Sequence, residues 1–195
     1  MKKTTCSYRT GGAVLVLPVL IFCLALLGGC SSYLVVPKGL PRVSGHETLS
    51  LSAVSLIVVN AEKDATEQDI LTANKGWSGF RGNRQAWSKQ LVESLSRELA
   101  LRGAQVRSTA PVVLSLALPE ITFNETGNQF KFAVKVLVSS SVGWAKEYNG
   151  VAASSDRNTG SVSAEADRLA GMALADAVGK MLGDTAFLVR LGNGT

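Results

Sequence analysis

Ala13 to Leu27 is an unbroken apolar run, AVLVLPVLIFCLALL, and it decides how much of the chain is available to fold. The residues before it, Met1 to Gly12, carry Lys2, Lys3 and Arg9 and no acid; Gly28-Gly29-Cys30 follows. A basic start, an apolar core and small residues at its end make a secretory signal segment. The run is shorter than the roughly 20 residues a membrane-spanning helix needs, and Pro18 weakens it further as a permanent helix. With residues 1–29 set aside, 166 of the 195 residues remain, a length for one domain. Hydrophobic residues make up 46% of the chain and charged residues 18%, which gives enough buried surface to offset ordering entropy and excludes a disordered tail protein.

Removing the signal also removes three basic side chains and no acidic ones, so the formal charge of +5 falls to +2, with 17 basic and 15 acidic groups left. The apparent basicity belongs mostly to the signal, and no electrostatic case for nucleic-acid binding survives. Leu27-Gly28-Gly29-Cys30 resembles the bacterial lipobox, an aliphatic residue and two small residues before a Cys. The resemblance implies cleavage between Gly29 and Cys30, a diacylglyceryl thioether on Cys30 and acylation of the new N-terminus. Three acyl chains exceed the two signals that stable anchoring takes. Cys6 and Cys23 leave with the signal, so no free thiol remains, as suits an oxidising periplasm. Ser31 and Ser32 follow the Cys in place of an Asp, which by the same resemblance implies the periplasmic face of the outer membrane.

Residues 30–50 hold Pro37, Gly39, Pro41, Ser44 and Gly45 without a sustained period and read as a lipidated terminus and flexible tether. The α+β domain is expected over 51–195. Ala53 to Val59 is β-branched and nearly continuous in apolar character, a buried strand. Trp87, Leu91, Leu95 and Leu99 recur every four residues between Asn83, a candidate N-cap, and Gly103, placed as a C′ glycine. Lys89, Glu93, Arg97 and Glu98 fill the other face of that helix. Strands follow at Val112–Leu118, at Phe130–Ser139 with Lys131 and Lys135 on the outer face, and at Trp144–Tyr148, closed by Asn149-Gly150. A second helix is expected from a Ser163 cap to Leu182, with an Ala-rich apolar face that permits close approach, and Glu165 and Asp167 favourable in its first turn. Phe187 to Leu191 reads as a short tail strand or turn. The expected architecture is a single α+β domain in the order β-α-β-β-β-α. It has a mixed, mostly antiparallel sheet of four strands with two helices on one face.

This order resembles the YajG-type lipoproteins, a family of small bacterial outer-membrane lipoproteins. The resemblance rests on Leu27–Cys30, the strand Val54–Val59 and the Trp-led helix Trp87–Gly103. It continues through Leu114–Leu118, Phe130–Val138, Glu147-Tyr148-Asn149-Gly150 and the Ala-rich helix before Leu182-Gly183-Asp184. It implies the fold and the location and carries no catalytic residue.

Signals for catalysis are thin. The single His, His46, stands in the expected tether, so a His-based nucleophile or metal site has no basis. There is no G-x-S-x-G and no P-loop, and the acidic residues are scattered. No catalytic residue, metal or cofactor is expected. The segment Gly76–Gly82 holds Trp77, Phe80 and Arg81, the residue types that dominate interface hot spots, and is the candidate partner-binding loop. The expected role is a non-enzymatic binding or assembly module of the cell envelope. It would be held to the membrane by the lipid on Cys30 and would present that loop or a sheet edge to a periplasmic or outer-membrane protein. The alternative is a lipid- or glycolipid-handling auxiliary of an envelope transport system.

Overall fold

The computed structural model describes residues 32–38, 40–45, 50–70, 79–126, 129–154 and 161–192. The signal segment, Gly29, Cys30, His46 and Trp77 lie outside the described residues. The strands are β1 (Tyr33–Leu34), β2 (Ser55–Asn60), β3 (Glu67–Asp69), β4 (Phe80–Asn83), β5 (Gln105–Val106), β6 (Val112–Thr126), β7 (Gln129–Ser140) and β8 (Trp144–Ser154). The helices are α1 (Arg84–Leu101), α2 (Val162–Leu182) and α3 (Thr185–Gly192). The main sheet has five strands in the order β5-β2-β6-β7-β8, and a second sheet has the order β1-β4-β3. In the main sheet β2 runs parallel to β5 and β6, while β6, β7 and β8 form an antiparallel meander. The chain is thus the expected α+β domain, with one more strand in the main sheet and a small sheet besides.

Helix α1 follows the four-residue stripe: Trp87, Leu91, Leu95 and Leu99 are all buried against the sheet. Asn83 caps it, its side-chain oxygen accepting from Ala86 N at 2.9 Å. At the other end Gly103 takes φ +92°. The N–H groups of Gly103 and Ala104 return to the carbonyls of Ala100 and Leu99, a Schellman termination. Helix α2 begins earlier than Ser163: the capping oxygen belongs to Ser161 and accepts from Ala164 N at 3.2 Å. Its small face does bring it close to the sheet. A Cβ built at Gly150 of β8 would overlap the Ala173 carbonyl oxygen and crowd the Ala177 Cβ. Asn149-Gly150 is therefore a strand segment and not the expected closing turn, and β8 runs on to Ser154.

Strand β6 extends well past Leu118 because a bulge resets its phase. Ala117 pairs with Leu137 and Glu120 with Lys135, so β6 spends one residue more than β7 between these pairs. Leu114, Leu116 and Leu118 face the core before the bulge; Ile121 and Phe123 do so after it. Simple alternation breaks at Pro119 although the strand does not.

Two further expectations are corrected. Phe187–Leu191 forms the helix α3 instead of a tail strand or turn: Asp184 Oδ1 accepts from Ala186 N at 3.0 Å, and Phe187 and Leu191, four apart, are buried. The ring of Phe187 packs on Trp144 and Tyr148 of β8. The described part of 30–50 is a strap and not a free tether. Tyr33–Leu34 pairs in parallel with Phe80–Arg81. Val35, next along, is buried, and its carbonyl accepts the Trp87 indole N–H at 3.0 Å. The strap then passes Lys38, close against Gly171 of α2, and Val43, against Gly179. It therefore runs along both helices on the side away from the sheet.

Candidate functional site

Two carboxylates hold the strap. Asp167, in the second turn of α2, is 1% exposed and accepts from three donors of the strap. These are the Tyr33 hydroxyl at 2.9 Å, Val36 N at 2.9 Å and Lys38 Nζ at 2.7 Å. The Asp167 carbonyl also accepts from Lys38 N at 3.1 Å. Burial and the Asp167 carboxylate raise the Tyr33 phenol above its ordinary pKa. A helix-start acid was the sequence expectation for Asp167; its buried role depends on Tyr33, Val36 and Lys38, which are far upstream in the chain. Further along, Glu98 and Arg102 form a buried i,i+4 pair at 2.7 Å. Arg102 donates to the Val43 carbonyl at 3.1 Å, and Val43 N donates to Glu98. Glu98 therefore lies under the strap and not on the solvated face of α1.

Every described helix lies on, or is linked to, one side of the main sheet, which leaves the other side open. Phe130, Phe132, Val134, Val136 and Val138 of β7 point to the core; Lys131, Ala133, Lys135 and Leu137 point away. On this open face Leu137 and Val151 are 37% and 38% exposed. Val151 lines a cleft of ≈ 330 Å³ whose walls include Glu120, Thr122, Lys131, Lys135 and Asn149. The bulge places Glu120 opposite Lys135, and their charged atoms meet at 3.1 Å. The hydrogen bond to Glu120, then the charges of Glu120 and Glu147, raise the Lys135 pKa. The pair is exposed and contributes little stability. The face as a whole is mixed, with exposed apolar side chains among charged and polar ones.

The edges of the main sheet are less available. Along β8, Val151 N donates to Asp176 Oδ2 at 2.8 Å, and Lys180 Nζ donates to the Asn149 carbonyl at 2.7 Å. Asp176 and Lys180 are themselves paired at 2.7 Å. Two side chains of α2 thus occupy the middle of the free edge, a guard against strand addition. At the opposite edge β5 is two residues long. A partner strand on the main sheet, one of the modes expected from sequence, meets these obstacles.

The residues of the predicted loop separate. Phe80 is 6% exposed and lies in the core, its ring edge-on to Tyr33 at 5.9 Å and Phe123 at 5.1 Å. It does not serve as a surface anchor. Arg81 donates to the Glu67 carbonyl at 3.0 Å and pairs with the Glu67 carboxylate at 3.1 Å, tying β4 to β3. Trp77 lies outside the described residues. Among the described residues no group of three His, Cys, Asp or Glu side chains is placed to hold a metal ion. No helix among them is long and apolar enough to cross a membrane.

No protein-family model matches the chain, and no curated protein matches it. Among solved structures, protein XCC0632 from Xanthomonas campestris, of the family DUF330, matches with a TM-score of 0.53 at 13% identity. That match covers 85% of this chain and 99% of the other. A candidate lipoprotein from Caulobacter crescentus CB15 matches with a TM-score of 0.44 at 18% identity, over 75% of this chain and 96% of the other. The chain thus shares its α+β fold with the DUF330 protein.

Proposed function

We propose that this chain is a YajG-type outer-membrane lipoprotein, acylated on Cys30, whose domain is a non-enzymatic binding or assembly module of the cell envelope. The open face of the main sheet is the surface it presents. One observation carries this reading: both long helices and the strap are on the other side, so β6, β7 and β8 keep one whole face for contact. Exposed Val151, opposite Ala133 and so between the Glu120–Lys135 pair and Lys131, and exposed Leu137, next along β7 beyond Lys135, supply the mix of apolar and polar groups that a protein interface uses. The occupied edge of β8 supports contact through side chains in preference to strand addition. The signal segment and Leu27-Gly28-Gly29-Cys30 support the anchor.

A photo-crosslinking amino acid placed at Leu137 or Val151, with Glu93 on the outer side of α1 as control, tests the surface in intact envelopes. The reading expects a discrete crosslinked protein from the two sheet positions and none from Glu93. Equal crosslinking from all three, or none from the sheet, overturns it. Native mass spectrometry of the same protein addresses the alternative. A co-purifying lipid or glycolipid would assign the domain to lipid handling within an envelope transport system.

A further inference from the structure

The strap changes what an anchor on Cys30 does. A flexible tether of about 20 residues spans roughly 25 Å on average and lets a domain turn freely over a bilayer. Here the chain is already fixed at Tyr33. Its N–H donates to the Gly79 carbonyl at 2.9 Å, its hydroxyl is held by Asp167, and Val35 N donates to the Arg81 carbonyl at 2.8 Å. Only Ser31 and Ser32 stand between Cys30 and this point. Even fully extended, the three steps from Cys30 to Tyr33 reach about 10 Å.

The topology says which end of the domain that is. β1 is parallel to β4, which begins at Phe80, and the Phe80 ring packs on Phe123 of β6. Phe123 pairs with Phe132, and three pairs further on Thr126 meets Gln129 at the end of the β6–β7 hairpin. β8 ends beside Phe130, and α2 starts from the Ser161 cap. Tyr33, the end of the β6–β7 hairpin and the start of α2 therefore share one pole. The β7–β8 turn, with Val142 and Gly143, marks the other. The 12 residues of β7 run between the two poles, a span of about 40 Å.

We infer that this pole rests on the lipid headgroups, so that the domain is docked on the bilayer in one orientation by its strap instead of swinging on a tether. The partner surface is the membrane itself. Gln129 and Lys131 are exposed at this pole, and Val162 at the start of α2 is 37% exposed. Polar, cationic and small apolar groups of this kind suit a headgroup layer. The inference rests on the acylation of Cys30 proposed above.

The test uses the full lipidated protein. Its processed form keeps no cysteine other than the acylated Cys30, so Gln129→Cys and Val142→Cys each accept a single fluorophore. Both positions are exposed, so labelling leaves the core intact. The proteins are reconstituted into phosphatidylethanolamine–phosphatidylglycerol vesicles that carry a headgroup-linked spin-label quencher. The expected result is quenching several-fold stronger at 129 than at 142. Inserting about 20 Gly/Ser residues between Ser32 and Tyr33, a length that frees the domain, should abolish the difference. Equal quenching at the two positions, with palmitate still incorporated on Cys30, overturns the docked orientation and leaves the lipoprotein reading standing. Absence of palmitate incorporation overturns both.

Discussion

Replacing Asp167 by Ala should release the strap, and the structure gives the scale of the loss. The carboxylate takes hydrogen bonds from the Tyr33 hydroxyl and Val36 N, both at 2.9 Å, and an ion pair from Lys38 at 2.7 Å. Lys38 is 68% exposed, so water replaces its partner and that pair contributes little. The other two donors are partly buried, and each one left without an acceptor costs about 1–2 kcal/mol. Asp167→Ala should therefore destabilise the domain by about 3 kcal/mol. Asp167→Asn retains an acceptor for Val36 N and lets the Tyr33 hydroxyl accept instead of donate, so it should cost only about 1 kcal/mol. For a domain of this size each kcal/mol moves Tm by about 2–4 °C, which puts the Ala variant about 6–12 °C below wild type. Thermal denaturation in detergent gives the Tm values. Amide hydrogen exchange at Val35, Val36 and Lys38 should accelerate in the Ala variant before the β6–β7 core does. An Ala variant that melts within 1 °C of wild type, with unchanged exchange in the strap, would refute the reasoning.

Three other perturbations probe separate parts of the account. Phe80→Ala should cost about 3–4 kcal/mol, as emptying a core site does; a urea midpoint equal to wild type would return Phe80 to the surface role read from sequence. Gly150→Val forces β8 away from the Ala173 carbonyl, and overpacking of a fixed backbone contact costs about 3 kcal/mol or more. A normal yield of folded protein with native melting would contradict the close approach. Asp64 is held at a pKa of about 2, below its ordinary 3.8, by hydrogen bonds from Thr66 and then from Arg84. Because the folded value is the lower one, its stabilisation is present above the ordinary value and fades as pH falls toward about 2. The stability gap between wild type and Asp64→Asn, followed by urea unfolding, should be open at pH 5 and narrow as the solution is acidified further.

Periodicity carried the main elements. The Trp87–Leu99 stripe, the Asn83 cap, the Gly103 terminus and the Phe/Val alternation of β7 are local patterns, and each is where the sequence places it. The misses share one cause, dependence on distant partners. Tyr33–Leu34 has no strand signal of its own and becomes β1 only beside Phe80–Arg81. Asp167 and Glu98 look like ordinary helix-surface acids until the strap covers them. The Glu98/Arg102 spacing was the one local hint, an i,i+4 pair at the end of a helix. The bulge at Pro119 hid the second half of β6, since one extra residue exchanges the two faces. Asn149-Gly150 has the composition of a turn, but here the glycine makes room for a helix. The candidate site was legible only in part. Lys131 and Lys135 were read as an outer strand face, and that face is the open one; the Trp77–Arg81 segment gives Phe80 to the core and Arg81 to Glu67.

The anchor underlies both the proposed role and the docked orientation, and intact-mass analysis of the protein extracted from envelopes tests it most directly. The account predicts a chain that begins at Cys30 and carries a diacylglyceryl group on sulfur and a third acyl chain on the amino terminus. A mass that retains residues 1–29, or that shows a free thiol at Cys30, would contradict it.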